Sequence, residues 1–466
     1  MKRAKIVVIG AGSASFGLTN LGAILRMPEL RGSELCLVDT NEAGLRWVTR
    51  LAERINGQWG AGFAITSSAD RSRVLADADF VILSVAIDRE KCWGMDHDIA
   101  RKHGIMHYAE NGGPGALMHG ARNIALIMPI LRDVERLCPN ALVLNFTNPV
   151  PRICIAAARF TKVKMVGICH QIFFGYFMVA NVLAKDLGID VPPDIKFRWR
   201  DPTNEPYLKR LNDAGEEKLD ILAAGINHFT WMLAIRDKKT GQDLYPLFRE
   251  RYMKGYDHFE PLTRELFRIF SICPVPGDCH MVEYLPYTHN MVSDTWGAYD
   301  IQMYPLEKAA MARDEMWGHI EAMAKGEKPI DHLKEVHTER AEILIASMLQ
   351  NSHSYELAVN IPNRGYIENL PEGAIVEVPA DISASGIHGI GIGRLPEPAA
   401  ELCRRQIAVA EMAVESGVKG SYDLALQALT IDPMMEDPRV ARKLLDDYLT
   451  AEKEYVPQYF KTAAWL

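Results

Sequence analysis

Long hydrophobic runs, clustered basic residues and paired cysteines are all missing from this chain, and each absence removes a class of function. No apolar stretch among the 466 residues reaches the ~20 that a membrane-spanning helix needs. No block of Lys and Arg offers a footprint for nucleic acid, and the formal net charge of −8 opposes one. The eight cysteines show no framework spacing. Cys36, Cys138, Cys154 and Cys403 sit in apolar surroundings and read as reduced core thiols of a cytoplasmic protein. A strand opens within about four residues of Met1, so no secretory signal peptide is expected. Internal repeats and low-complexity linkers are absent too.

What remains is the composition of an ordinary soluble globular protein, 48 % hydrophobic and 24 % charged. Its length exceeds what one hydrophobic core supports, so two domains packed on each other are expected. Alternating strands and helices run through the first part and stop near residue 195. The reading is α/β: a Rossmann-type doubly wound parallel sheet over residues 1–195, then a mixed α+β domain over 196–466.

Lys5–Ile9 is a continuous apolar strand followed by Gly10-Ala11-Gly12-Ser13-Ala14-Ser15-Phe16-Gly17. Strand, glycine-rich turn and helix in that order form a dinucleotide fingerprint. Gly10 permits the tight turn, Gly12 lets the backbone approach a pyrophosphate, and Ser13 and Phe16, where the turn enters the helix, join them as candidate cofactor-binding residues. Ser15 stands where a third glycine is usual, with Gly17 two residues on. The next strand, Glu34–Val38, ends on Asp39, an acid suited to the ribose hydroxyls of NAD. A helix over Asn41–Ile55, a short strand near 63–66 and a buried strand over Ala78–Ile87 follow. Asp88–Lys91 reads as a charged loop at that strand's end. The glycine-rich segment Glu110–Gly115, with Glu110 as a candidate acid, precedes a helix over Ala121–Leu137. Ala141–Leu144 is a further strand, closed by Asn145-Phe146-Thr147-Asn148-Pro149.

The chain is organised around Met165–Gln171, an apolar strand that ends on Cys169-His170. In an open α/β sheet ligands bind at the strands' carboxyl ends, and a thiolate there is a soft metal ligand or a nucleophile. Alone, the pair could be a space-filling Cys and a His at a helix start. A second strand, Leu219–Ala224, closes with Gly225-Ile226-Asn227-His228 and supplies another imidazole. Pro274–Pro286 holds three prolines together with Gly277 and His280, with Glu283, Tyr284 and Tyr287 close together. Helices are expected over Leu306–Ala324, Ile330–Gln350, Ala399–Ser416 and Asp437–Leu449, and a strand over Ala374–Val378.

Taken together these pieces resemble glycoside hydrolase family 4, the NAD- and Mn²⁺-dependent glycosidases. The resemblance runs over nearly the whole chain: Gly10–Ser13, Asp39, Glu110–Gly115, Asn145–Pro149, Cys169-His170, Gly225–His228, Glu283-Tyr284 and Asn360–Gly365. It implies a lactate/malate dehydrogenase-like fold, NAD as a resident cofactor, and homodimers or homotetramers. It also implies metal ligation by Cys169 and His228, with Asn148 holding the substrate near the metal and Tyr284 as the catalytic base. Glu110 and His170 both stand where an acid could assist the leaving group. By softness alone a thiolate and an imidazole suit Zn²⁺ better, so Mn²⁺ comes from the resemblance.

The implied chemistry departs from the two-carboxylate mechanism of most glycosidases. C3 of the sugar is oxidised, the C2 proton is removed, the aglycone is eliminated, water adds and C3 is reduced again. An unperturbed Tyr titrates near ~10, so a nearby cation must lower Tyr284. Two other readings share parts of the pattern. An NAD-dependent dehydrogenase of a hydroxy acid or sugar acid would share the glycine loop and Asp39, but no Asp–His relay is placed for it. A non-enzymatic NAD(H) sensor would leave the two ligands at strand ends as accidents.

The chain departs from the family at Gly113-Pro114-Gly115-Ala116, where a further glycine is usual, and at His170-Gln171. Members acting on 6-phosphosugars usually carry Asp or Asn in place of His170, so an unphosphorylated α-glycoside is implied. Four cations, Arg89, Lys91, Arg122 and Arg364, lie in segments expected near the site, with Arg89 and Arg364 the leading substrate contacts. Arg forks suit an anionic group on C6 if even two of them face the pocket, and an anionic α-glycoside, a uronide or sulfoquinovoside, is ranked slightly ahead of a neutral galactoside or glucoside. Pairing with surface acids is the plainer alternative.

Overall fold

Short segments, apolar and buried except at the exposed edge strand β3, build the first six strands: β1 (Lys5–Ile9), β2 (Glu34–Val38), β3 (Ala64–Ser68), β4 (Phe80–Leu83), β5 (Leu142–Asn145) and β6 (Lys164–Gly167). The computed structural model describes residues 3–108, 110–192, 195, 197, 203–291, 294–336, 338–461 and 465. Ala109 and Lys196, where the second half was expected to begin, lie outside the described residues. The six strands pair in parallel in the order β3-β2-β1-β4-β5-β6. That is the order of a dinucleotide-binding α/β sheet, whose ligand crevice lies where the order reverses, between β1 and β4. Ile6 and Val8 enter one core while Val7 and Ile9 enter another, so helices cover both faces. The expected Rossmann-type sheet is present.

The sheet does not stop at β6. Six further strands are β7 (Leu219–Ile226), β8 (Phe229–Asp237), β9 (Cys273–Pro274), β10 (Ser354–Pro362), β11 (Ile375–Ser383) and β12 (Gly386–Gly389). They extend it antiparallel through β10-β11-β7-β8-β9, with β12 on β11. Two narrow joints make the connection, Asn360 beside Gly167 and Glu377 beside Gly225. One twelve-stranded sheet therefore runs through both halves, and the core holding Ile6 also holds Ile226, Phe229 and Val376.

Several expected elements are differently bounded. The strand over Ala78–Ile87 shortens to β4, because Val85 donates its N–H to the Thr147 hydroxyl (2.9 Å) rather than to a ladder. Asp88–Lys91 is not a loop: Asp88, at φ 38°, caps the helix Arg89–Lys102. The glycine segment is shorter than expected, since the helix Gly113–Leu137 takes Pro114 into its first turn. Ile330–Gln350 divides into the 3₁₀ turn Asp331–Lys334 and the helix Ala341–Gln350, separated at Arg340 (φ 65°). The helix Glu42–Trp59 runs past Ile55 and stops at Gly60, which adopts the left-handed conformation that ends helices. Among the described residues no helix is long and apolar enough to cross a membrane.

Candidate active site

The glycine turn is held by contacts only glycine allows. At Gly10 (φ 97°) a Cβ would fall 1.8 Å from the Ser84 carbonyl oxygen, so the ends of β1 and β4 meet there without side chains. Gly12 donates its N–H to Asp39 Oδ2 (2.8 Å), and Asp39 Oδ1 accepts from Asn41 (2.8 Å). Ser13 caps the next helix by accepting from the Phe16 N–H (3.2 Å). The Phe16 ring is fully buried in the core, so that side chain packs the turn from behind. Gly17 takes the place of the usual third glycine: its Cβ would stand 3.1 Å from Ile320 and 3.2 Å from Val48.

A second group of polar side chains gathers beyond the ends of β5 and β6 and in the β7–β8 turn. Cys169 Sγ lies 3.4 Å from His228 Nε2, close enough for both to hold one ion. His228 is buried, in the left-handed conformation (φ 63°), and its Nδ1 meets the Asn111 amide at 2.6 Å. Glu110 Oε2 is 3.7 Å from Nδ1 of both His228 and His280, and the two rings are 4.3 Å apart. Asn148 donates to Glu110 Oε1 (2.8 Å), and Arg89 reaches the same oxygen at 3.8 Å while stacking on Trp93. Glu110, His228 and His280 form a further set of atoms able to hold a metal ion.

Burial sets the charge states. It drives the His228 imidazole well below its ordinary pKa, helped by His280 and His170, and leaves it neutral as a metal ligand requires. It pushes the Cys169 thiol well above its ordinary value, with Glu339 and Glu377 adding to the effect. A thiolate there needs a cation beside it. Burial likewise raises the Tyr284 phenol, assisted by Glu283 and Glu110. Its ring packs on Phe229 (4.6 Å) and its hydroxyl has no partner among the described residues.

The structure thus brings together Glu110, Asn148, Cys169, His228 and Arg89, with Tyr284 within electrostatic reach of Cys169 and Glu110. The others go elsewhere. His170 is exposed and turns to Glu339, its Nδ1 2.5 Å from the carboxylate, which raises its pKa. Lys91 bonds to the Tyr455 hydroxyl (2.8 Å). Arg122 is buried between Asp96 (2.7 Å) and Glu452. Arg364 is exposed in the turn after β10, with no described contact to the cluster. Asn111, His280 and Glu283 belong to the group although none was named as a site residue. The sequence signals for them are the glycine segment Glu110–Gly115 and the Glu283-Tyr284 motif, with His280 three residues before it.

Fold and cluster define a dinucleotide-fold protein with a thiol and an imidazole 3.4 Å apart beside a buried acid. The Family 4 glycosyl hydrolase model matches residues 5–188, and the model of that family's C-terminal domain matches residues 223–435. An α-glucosidase from Erwinia rhapontici is 30 % identical, covering 97 % of this chain and 98 % of that one. An α-galactosidase from Bacillus subtilis is 28 % identical, covering 98 % and 99 %. Among solved structures, a 6-phospho-α-glucosidase from gut microorganisms in complex with NAD and Mn²⁺ shares the fold. Its TM-score is 0.79 at 19 % identity, covering 98 % of this chain and 100 % of that one. The chain belongs to family 4 of the glycosyl hydrolases. It is an enzyme, a glycoside hydrolase.

Proposed function

We propose that this glycoside hydrolase is NAD- and Mn²⁺-dependent and cleaves an unphosphorylated α-glycoside by oxidation, elimination, hydration and re-reduction. The observation that carries the reading is the 3.4 Å approach of Cys169 Sγ to His228 Nε2 beside the buried Glu110. The residues suit the metal. His228 is neutral, and Asn111 Oδ1 is buried without a partner among the described residues. Turning that amide over would let Oδ1 accept from Nδ1–H and leave Nε2 free to ligate. Unpartnered amide oxygens of Asn148, Asn227 and Asn360 suit further polar groups arriving there. For NAD, Gly10 and Gly12 open the approach at the β1–β4 crevice, and Asp39 is the acid for the ribose. When bound, NAD would exchange a hydride with C3, and the divalent ion would draw charge from the oxygens on C2 and C3.

The chain's own groups then handle protons. Tyr284 takes the proton from C2 as tyrosinate, a form that burial opposes and that a cation bound beside it would favour. Glu110 is the better placed of the two candidate acids for the leaving oxygen, because Asn148, His228, His280 and Arg89 surround it while His170 turns toward Glu339. Asn148 orients the sugar. Residues 1–195 would hold NAD and 196–466 most of the substrate, the metal pair bridging the two. All eight cysteines are free thiols, which supports a cytoplasmic location. The oligomer we propose is a homodimer or homotetramer, as the family resemblance implies.

Of the four cations, only Arg89 stands at the cluster, and its guanidinium already faces Glu110. The two-cation condition for a C6 anion is not met by these four, so we place a neutral α-glucoside or α-galactoside ahead of a uronide or sulfoquinovoside. The test is turnover of nitrophenyl α-glycosides, neutral, uronide and 6-sulfonate, with NAD⁺, Mn²⁺ and a reductant. Cleavage with no net NADH is expected, fastest on a neutral sugar. Stoichiometric NADH would return the dehydrogenase reading, and faster cleavage of an anionic sugar would reverse the ranking.

A further inference from the structure

Glu283 is fully buried and carries no role in the reaction described so far. It lies just beyond the short helix Asp278–Met281. One carboxylate oxygen, Oε2, accepts from three consecutive backbone N–H groups: Glu110 (3.0 Å), Asn111, and Gly112 (2.9 Å). Converging backbone donors of this kind form a nest for negative charge. The other oxygen, Oε1, accepts from His280 Nδ1 (3.2 Å). At Gly112 a Cβ would fall 2.1 Å from the Glu283 carbonyl oxygen, so the loop rests directly on this residue's backbone.

The groups so held meet the candidate metal ligand and acid. Asn111 contacts His228 Nδ1, Glu110 is the acid, and His280 stacks on His228. On the far side His119 Nδ1 meets the Glu110 carbonyl (2.9 Å) and Arg152 donates to the Asn111 carbonyl (3.2 Å). Those two bonds act on backbone oxygens only. Glu283 joins the loop to His280 through hydrogen bonds on both of its carboxylate oxygens, while the Glu110 carboxylate itself stands 3.7 Å from His280 Nδ1.

Resting on the glycosidase reading above, we propose that Glu283 is a positioning residue for this reaction. Its carboxylate sets the Glu110–Gly112 loop and His280 in one register, so that acid, metal-ligand partner and imidazole face the same point. Gln at 283 has the same shape and can still offer its carbonyl oxygen to the three N–H groups. Its amide then faces His280 Nδ1 with N–H bonds, where a carboxylate had accepted.

The test compares full-length wild type, E283Q and E283A by three measurements. These are the ¹⁵N and ¹H resonances of His280 Nδ1 in histidine-labelled protein, assigned by their loss in H280Q, hydrogen exchange of the amides at 110–112, and kcat and KM. In E283Q the expected result is near-wild-type exchange, a displaced His280 Nδ1–H resonance, KM within about 3-fold and kcat lower by about 10²-fold. In E283A exchange at 110–112 should quicken about 10-fold or more. A residue that merely stabilised the fold would leave kcat of the isosteric variant unchanged. Wild-type kcat or an unmoved His280 resonance in E283Q overturns the proposal. If E283A fails to fold, E283Q decides alone. Should the wild type cleave no glycoside, the functional reading fails, and an unmoved resonance and unchanged exchange would sink the positioning role separately.

Discussion

Cys169 and His228 stand 59 residues apart in the chain and 3.4 Å apart in space. Cys169→Ser and His228→Ala are each expected to lower metal affinity at least about 10-fold and to abolish turnover with the fold intact. Equilibrium dialysis with elemental analysis, alongside circular dichroism, checks this; wild-type metal content in both variants would remove the pair from the site. Tyr284→Phe should keep NAD and metal binding and lose about 10²-fold in kcat, together with exchange of the C2 hydrogen with solvent deuterium. A retained rate would move the base to His280 or Asp278. His107 makes a pH prediction. It is buried, accepts from the Gly115 N–H at Nε2 (2.7 Å), and is pushed down to about 3 by burial. A depressed His contributes stability above its unfolded pKa of 6.5, and that contribution is lost as pH falls from there toward about 3. At pH ~5 the loss is about 2 kcal/mol. His107→Gln removes the titration, so its stability should fall less between pH ~7 and ~5 than the wild type's, as read from urea midpoints. Equal falls would show that His107 does not carry this acid sensitivity.

The helices Arg89–Lys102, Gly113–Leu137 and Pro438–Ala451 are joined at one buried point. Arg122 lies between Asp96 (2.7 Å) and Glu452, all with almost no exposure. Burial and the neighbouring Asp96 push the Glu452 carboxyl up, and one guanidinium faces both acids. Arg122→Ala leaves Asp96 without its cation and should cost about 3 kcal/mol, the lower end for a broken buried pair. Urea unfolding measures it, and a loss below about 1 kcal/mol would mean that the acids reach water in the variant. This arginine shows where reading by segment reaches its limit. A cation near a glycine-rich segment looks the same in sequence whether it faces a sugar or a buried acid over 300 residues away. The helix Arg89–Lys102 is similar: its charged first turn resembles a loop, because the apolar contacts of Cys92, Trp93, Ile99 and Ala100 alternate with buried Asp96 and His97.

At the scale of the molecule, the one sheet decides how the halves depend on each other. β6 is covered by β10, some 190 residues later, and the core around β1 draws on Phe229, Val376 and Val378. Residues 1–195 expressed alone should therefore lack a cooperative thermal transition and self-associate through the uncovered β6 edge. Calorimetry and size-exclusion chromatography check this; a monomer with a sharp transition would show that the first half is an autonomous unit.

Local patterns determined the first half of the fold. Strands of four or five residues, the Gly10–Gly12 turn and Asp39 are short-range features, and a parallel sheet in order 3-2-1-4-5-6 follows from them and from right-handed crossovers. The spacing of the whole set of motifs also sufficed to reach the glycosidase family. Distant pairing was left to the tertiary structure: the antiparallel strands that continue the sheet, Glu110 beside His228 and His280, Glu283 beneath the loop at 110–112, and Arg122 turned inward. Each of those contacts joins residues far apart in the chain. Which acid meets which base across such distances depends on how the packed sheet turns its strand ends, and no local spacing encodes that.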